Sequence, residues 1–316
     1  MSKETHSHSK PIICIGAALV DDSFYCLNKP LPGTSNPATH YRSAGGVARN
    51  VSHHLAQLGN PVELIAHFGL DAEGDWLREV CSSVGIGLSR SVFSKTGTGH
   101  FSGIISPDGE LFAGASDTHL EQEITISLLS SQSSFLAGAS LLLCDCNLEI
   151  SCIRWIIDFC SVQNIPCIIE PVSVAKASLL RNVNLNSVLL ISPNTMELAA
   201  LTGNQESGTL QESVEHLLKR GVQNIWIRNG KDGSEFFSQN EHISLPAPEV
   251  HVIDSTGAGD AALAGWIHAR HLGKSPRECI LYGHAMAQII LQTNGTYAES
   301  LDETKLESIV TNLKSL

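Results

Sequence analysis

At 316 residues, with 42% hydrophobic residues and a formal net charge of −12, the chain has the length and apolar content of one large α/β domain with an accessory piece. The acidic balance and the lack of any Lys/Arg cluster argue against a nucleic-acid partner, and no window approaches membrane-spanning length. Nine Cys, an odd number with no CxxC pair, predict buried free thiols and a reducing, cytoplasmic setting rather than a disulfide framework. The head MSKETHSHSK, residues 1–10, is polar and reads as a disordered tail without the apolar run of a secretion signal.

PIICIGAALV, residues 11–20, reads as a buried strand. Residues 22–43 are turn-rich, with Pro30, Pro32, Gly33 and Pro37, and show little helical period. GGVARNVSHHLAQLG follows as a helix with the apolar stripe Val47, Val51, Leu55 and Leu58, ended by Gly59. VELIAHFG, residues 62–69, is a second strand. DAEGDWLREVCSSVG then begins on the capping Asp71 and spaces Leu77, Val80, Cys81 and Val84 along one face. Residues 97–115 read as a hairpin turning at Pro107-Asp108-Gly109. From SLLLCDC onward strand and helix alternate, through EISCIRWIIDFCSVQ, IPCIIE, SVLLIS, NTMELAALTG and NIWIR to VHVID and a last glycine-led helix. The alternation predicts a mainly parallel central sheet over residues 11–316 with helices on both faces. The segments at about 22–43 and 97–115 fall outside it and predict a small β lid. In such sheets ligands bind beyond the carboxyl ends of the strands, where a lid would exclude water.

The most pointed motif is DSTGAGD, residues 254–260, set between the predicted strand VHVID and a helix of small apolar residues. A helix start carries unpaired N–H groups and favours anions. A capping Asp explains one carboxylate there but not two glycines. The amides of Gly257, Ala258 and Gly259 would serve as an anion hole, with Asp260 placed to take a proton from an attacking hydroxyl; phosphoryl transfer requires such positioning and charge stabilisation. LGKS at 272–275 lacks the earlier glycine of a P-loop, His268 standing there, and no strand runs into GxGxxG. Gly45-Gly46 at a helix start, with Asn50 one turn in, would admit a polyol close to the backbone; tight loop packing accounts for the glycines equally well. Asp21 at the end of the first strand is either an acceptor for two sugar hydroxyls or a solvated loop residue. Asn194 and Glu197, three apart at a helix start, suit water-mediated Mg²⁺ and phosphate contacts, and suit a capping box just as well. IRNGKDGS, with Arg228, Gly230 and Gly233, follows a strand and offers phosphate or adenine contacts.

AGGVARNVSHHLAQLG and DSTGAGD, in that order, resemble the two signature regions of the ribokinase-like (PfkB) carbohydrate kinases, with the likeness running from about residue 11 to the end of the chain. The resemblance implies the ribokinase-like fold with its β lid and ATP-dependent phosphorylation of a primary hydroxyl on a sugar or nucleoside. It implies Asp260 as base, residues 257–259 as anion hole, Asn194 and Glu197 as the NxxE motif, and Asp21, Gly45, Gly46 and Asn50 as sugar-binding positions. ATP and Mg²⁺ are the implied cofactors, with a K⁺ site at the backbone of Asp254 and Thr256. The implied partner is a small-molecule nucleoside or sugar, with pairing of two copies through the lid. Three stretches, GTSNPATHYRSAGGVARN, CDCNLEISCIRWIID and IIEPVSVAKASLLR, are most similar to the family's pseudouridine kinases; by analogy Ser35, Asn36, Asp117 and Asn147 would contact a nucleoside. The chain departs from the family at two places. Glu170 stands where Asp is usual, and Arg228 where Thr or Ser is usual.

Overall fold

The computed structural model describes residues 10–314 except 110, 119, 205–207, 294, 299, 300 and 302; most of the predicted tail therefore lies outside the described residues. The strands in chain order are β1 (Ile12–Ile15), β2 (Leu19–Cys26), β3 (Ala38–Gly45), β4 (Val62–Ile65), β5 (His67–Gly69), β6 (Val92–Ser94), β7 (Gly99–Ile105), β8 (Leu111–Asp117), β9 (Leu141–Asp145), β10 (Cys167–Glu170), β11 (Val188–Ile191), β12 (Asn224–Arg228), β13 (Ser234–Ser238) and β14 (His242–Leu245). The longer helices are α1 (Val47–Gln57), α2 (Ala72–Ser83), α3 (Ile150–Gln163), α4 (Thr195–Thr202), α5 (Leu210–Lys219), α6 (Ala258–His271), α7 (Pro276–Leu291) and α8 (Glu303–Lys314).

The central sheet has the order β14-β13-β12-β11-β10-β9-β1-β4. Its pairs from β4 to β12 are parallel, while β12–β13 and β13–β14 are antiparallel. Buried on both faces, the parallel strands are apolar at almost every position, and successive residues feed opposite layers. Ile12, Cys14, Leu141 and Leu143 pack with α1, α2, α6, α7 and α8, whereas Ile13, Ile15, Leu142 and Cys144 pack with α3, α4 and α5. All nine cysteines are buried and unpaired. No helix among the described residues is long and apolar enough to cross a membrane.

The lid is a four-stranded sheet of order β3-β2-β7-β8, formed by the two segments expected outside the alternation. Three local readings need correction. PIICIGAALV is two strands in different sheets, β1 and the start of β2. They separate because Asp145, at the end of β9, takes the N–H groups of Ala17 and Ala48 at 3.0 and 2.9 Å and lies directly over Gly16, where a Cβ would meet it at 2.4 Å. VELIAHFG likewise divides into β4 and β5. VHVID is no strand: Val252 and Ile253 are half-exposed, the Ile253 N–H donates to the Leu291 carbonyl at the end of α7 at 2.7 Å rather than to a strand, and the sheet edge is instead closed by the hairpin β13–β14.

Candidate active site

The carboxyl ends of β1, β9, β10, β11 and β12 and the underside of the lid enclose one cluster of polar side chains. α1 opens at Gly46, whose φ of 93° is left-handed and whose Cβ would collide with the Ala17 carbonyl at 2.3 Å. Only glycine fits there. The turn sets Arg49 and Asn50 beneath the site. Arg49 is wholly buried; its guanidinium donates to the carbonyls of Gly45 and Ala44, to Asn50 Oδ1 and to Thr296 Oγ1. Because Asn50 Oδ1 accepts from Arg49, its Nδ2 is turned outward and donates to Asp260 Oδ2 at 2.7 Å.

α6 begins at Gly257, with φ 77°. The Ala258 N–H donates to the Ser255 carbonyl at 3.3 Å, whereas no carbonyl among the described residues takes the N–H of Gly259 or Asp260. The Gly257 N–H likewise has no acceptor among the described residues, so two of the three expected amides, Gly257 and Gly259, are open together with Asp260, and Ala258 alone of the trio is spent. Burial pushes the Asp260 carboxyl up to about 6, against the Asn50 hydrogen bond and the positive charges of Arg228 and Arg49, which pull it down. Asp21 reaches the same cluster from β2, its carboxylate lying over Gly45, where a Cβ would sit 2.2 Å from Oδ2. Burial raises Asp21 to about 7; Arg49 eases the shift, and Asp260 and Asp22 add to it. Asp260, Asp21, Asn50, Gly45 and Gly46 thus meet as expected.

On the other side of α6, Asn194, Thr195, Arg228, Asn229 and Gly230 line an open cavity of about 380 Å³. Asn194 and Glu197 form the capping box at the start of α4: Asn194 Oδ1 accepts from the Glu197 N–H at 2.8 Å, and Glu197 Oε2 from the Asn194 N–H at 2.9 Å. Glu197 Oε1 keeps no protein hydrogen bond among the described residues, a donor set that fits a water-held Mg²⁺. Gly233 is not in the cavity lining. Its left-handed turn packs against the end of β14, where a Cβ would meet the Leu245 carbonyl at 2.1 Å. Asp254 is spent on structure: Oδ1 accepts from the Thr256 N–H, and Oδ2 from Tyr25 Oη and the Gly295 N–H. A monovalent ion at Asp254 and Thr256 would have to rest on backbone carbonyls, and no group of three or more His, Cys, Asp or Glu among the described residues could hold a metal.

The nucleoside contacts expected on the lid are not brought to the site. Ser35 and Asn36 lie in the tip beyond Cys26, five residues or about 17 Å along β2 from Asp21. Asn36 is consumed there, accepting from the Leu31 N–H and donating to the Leu31 and Thr34 carbonyls. Asp117 pairs with His100, whereas Phe101 is the residue opposite Asp21, so Asp117 falls on the lid's other face. Asn147 does stand at the end of β9, held by the Lys176 ammonium and, through its N–H, by Asp145. Three participants escaped the sequence reading. Asp145 could have been found as a carboxylate closing an apolar run, and Arg49 as a lone cation on an apolar helix face. Tyr25 carries no local signal.

The sequence profile of the pfkB family of carbohydrate kinases matches residues 9–304. The chain belongs to that family. Among curated proteins, this pfkB kinase is 26% identical to the pseudouridine kinase of Escherichia coli (strain K12) over 311 residues, covering 96% of this chain and 98% of that one. It is also 26% identical to a ribokinase of Arabidopsis thaliana over 301 residues, 92% of this chain and 78% of the relative. The structure of Arabidopsis thaliana ribokinase complexed with ribose and ATP superposes with a TM-score of 0.80 at 23% identity, covering 96% of this chain and 99% of that one. The fold is therefore that of ribokinase, and the activity of the family is phosphoryl transfer to an alcohol.

Proposed function

We propose that the protein is an ATP-dependent kinase that converts pseudouridine to pseudouridine 5′-phosphate in the cytoplasm, with Asp260 as its general base. The observation that carries this reading is Asp260 itself, a carboxylate raised to about 6, fixed by Asn50 at 2.7 Å and adjoining backbone amides without acceptors. A base poised near working pH is ionised enough to accept a proton and still basic enough to want one. The ribose hydroxyls meet the Asp21 carboxylate, which the side-chain-free Gly45 lets lie close to the chain beside the Gly46 helix start. Asp260 takes the 5′-hydroxyl proton as that oxygen attacks the γ-phosphorus. The bond from phosphorus to the β–γ bridging oxygen breaks, ADP departs, and the Gly259 and Asp260 amides hold the phosphoryl oxygens. Glu197 would hold Mg²⁺ through water, and the ion would neutralise phosphate charge there. The nucleotide lies in the cavity between Asn194 and Gly230.

The similarity to a pseudouridine kinase across almost the whole of both chains supports this acceptor, and the buried free thiols support a reducing compartment. The lid sheet ends in β8, exposed along its whole length with Leu111 and Phe112 uncovered, which supports pairing of two copies through the lid; sedimentation at micromolar concentration tests it, and a monomer contradicts it. For the reaction, the test is the product. Incubation with ATP and pseudouridine should yield ADP and a monophosphate whose ³¹P resonance couples to the 5′ methylene protons. Phosphate on another hydroxyl would contradict the placement of Asp260.

A further inference from the structure

The two positions where the chain departs from its family are 58 residues apart and bound to each other. Arg228, at the end of β12, donates through Nη2 to Glu170 Oε1 at 2.7 Å and to the Ser192 carbonyl at 2.6 Å. Glu170, at the end of β10, spends its other oxygen on the Val172 N–H at 2.6 Å. Val172, although β-branched, adopts a left-handed φ of 70° to present that N–H. Both Glu170 oxygens are thus engaged within the chain, one of them on Arg228. Nη2 is fixed in this way, while Nε is buried without a hydrogen-bond partner among the described residues. The edge at Nη1 is not fixed: Nη1 has no hydrogen-bond partner among the described residues and lies against Gly259, where a Cβ would meet it at 2.4 Å. A free donor edge is thus held at the helix terminus whose amides are also open.

We propose that Arg228 is a catalytic residue whose Nη1 edge contacts the phosphoryl group during its transfer, and that Glu170 is the positioning residue that aims it. This rests on the kinase reading above and adds to it a full positive charge supplied by the chain itself. As the γ-phosphoryl moves from the β–γ bridging oxygen of ATP to the acceptor oxygen, with the hydroxyl proton passing to Asp260, its equatorial oxygens come within reach of both the α6 amides and Arg228. A guanidinium in that position stabilises charge in the transition state more than in bound ATP. Glycine at 259 is required for the approach, since any side chain there would displace the cation.

The test compares Arg228→Thr, the residue type usual in the family, and Arg228→Lys, which keeps charge but loses the fork, with the wild-type protein on the same acceptor. Arg228→Thr should lower kcat by about 10²-fold or more while the Kd for ATP changes less than about threefold. The affinity for ADP with aluminium fluoride and acceptor should fall in proportion to kcat. Arg228→Ala should recover part of its turnover in millimolar guanidinium chloride. Glu170→Gln should lower kcat in the same direction with ATP affinity retained. If Arg228→Thr does not fold because it strands a buried carboxylate, the double variant Glu170→Gln/Arg228→Thr removes both charges and replaces it. Turnover within about threefold of wild type, or a loss confined to ATP affinity with the aluminium fluoride complex unaffected, overturns the assignment. Wild-type protein that phosphorylates no acceptor overturns the kinase reading as well, which separates the two failures.

Discussion

Asp260→Asn removes a charge while keeping the side chain's shape, and should make the protein more stable as it makes it inactive. Burial holds the Asp260 carboxyl at about 6 against an ordinary 3.8. That difference of roughly two units corresponds to about 3 kcal/mol at 1.36 kcal/mol per unit, and partial solvent access to the side chain reduces it to about 1–3 kcal/mol. The sign follows from proton binding. The folded protein holds this proton more tightly than the unfolded chain, so below about pH 4 both are protonated and the carboxylate costs nothing. As pH rises from about 4 to about 6 the unfolded chain ionises first and stability is lost, the full cost standing above 6. Urea unfolding of ligand-free protein, followed by tryptophan fluorescence, should therefore show Asp260→Asn more stable by about 1–3 kcal/mol at pH 7.5 and equal to wild type at pH 4. Its kcat should fall by about 10²–10⁴-fold. A variant destabilised at pH 7.5, or a gain that persists unchanged at pH 4, would refute the claim that the carboxylate is desolvated.

For the wild type, kcat/KM should rise with pH through about 6, because Asp260 accepts a proton only when ionised. Asn50→Ala removes the hydrogen bond that pulls this value down and should move that limb upward by about one to two units; an unmoved limb would detach Asn50 from the base. Asp21→Ala should raise KM for the acceptor by roughly 10- to 100-fold with KM for ATP nearly unchanged, since only the sugar hydroxyls meet it; parallel changes in both would indicate a general defect. Glu197→Gln keeps an acceptor for the Asn194 N–H, so stability should change by less than about 1 kcal/mol while half-saturation by Mg²⁺ moves to higher concentration. An unmoved Mg²⁺ curve would leave Glu197 with its capping role alone.

The strand–helix alternation was legible because parallel strands buried on both faces have few polar positions, so each appears as a short apolar run. What failed was set from a distance. PIICIGAALV gives no local reason to break at Gly16; the reason is Asp145, which is 129 residues on and claims the Ala17 N–H. VHVID alternates like a strand but bonds to the end of α7 through the Ile253 N–H rather than to a sheet. Ser35-Asn36-Pro37 has turn chemistry, and the structure uses Asn36 for that turn rather than for a ligand. At the site, DSTGAGD and the Gly-Gly helix start were readable because left-handed turns and open amides need glycine at fixed spacing. Arg49 was passed over as a helix residue, although its buried guanidinium orients Asn50 and so Asp260. Glu170 and Arg228 were visible as isolated oddities, and only the sheet order, with β11 alone between β10 and β12, shows that they are one device.

The central claim is most directly tested by kcat/KM for pseudouridine, uridine and D-ribose, measured side by side at saturating ATP and Mg²⁺ with ADP release as the readout. Pseudouridine presents a ring N–H where uridine has a C–H; a site that closes on the base with an acceptor for that N–H leaves the acceptor unpaired with uridine, at about 1–3 kcal/mol, so pseudouridine should be preferred over uridine by roughly 5- to 150-fold. It should also exceed ribose, which lacks the base altogether. Uridine or ribose phosphorylated as efficiently as pseudouridine would contradict the substrate, and the absence of turnover on all three would contradict the role given to Asp260.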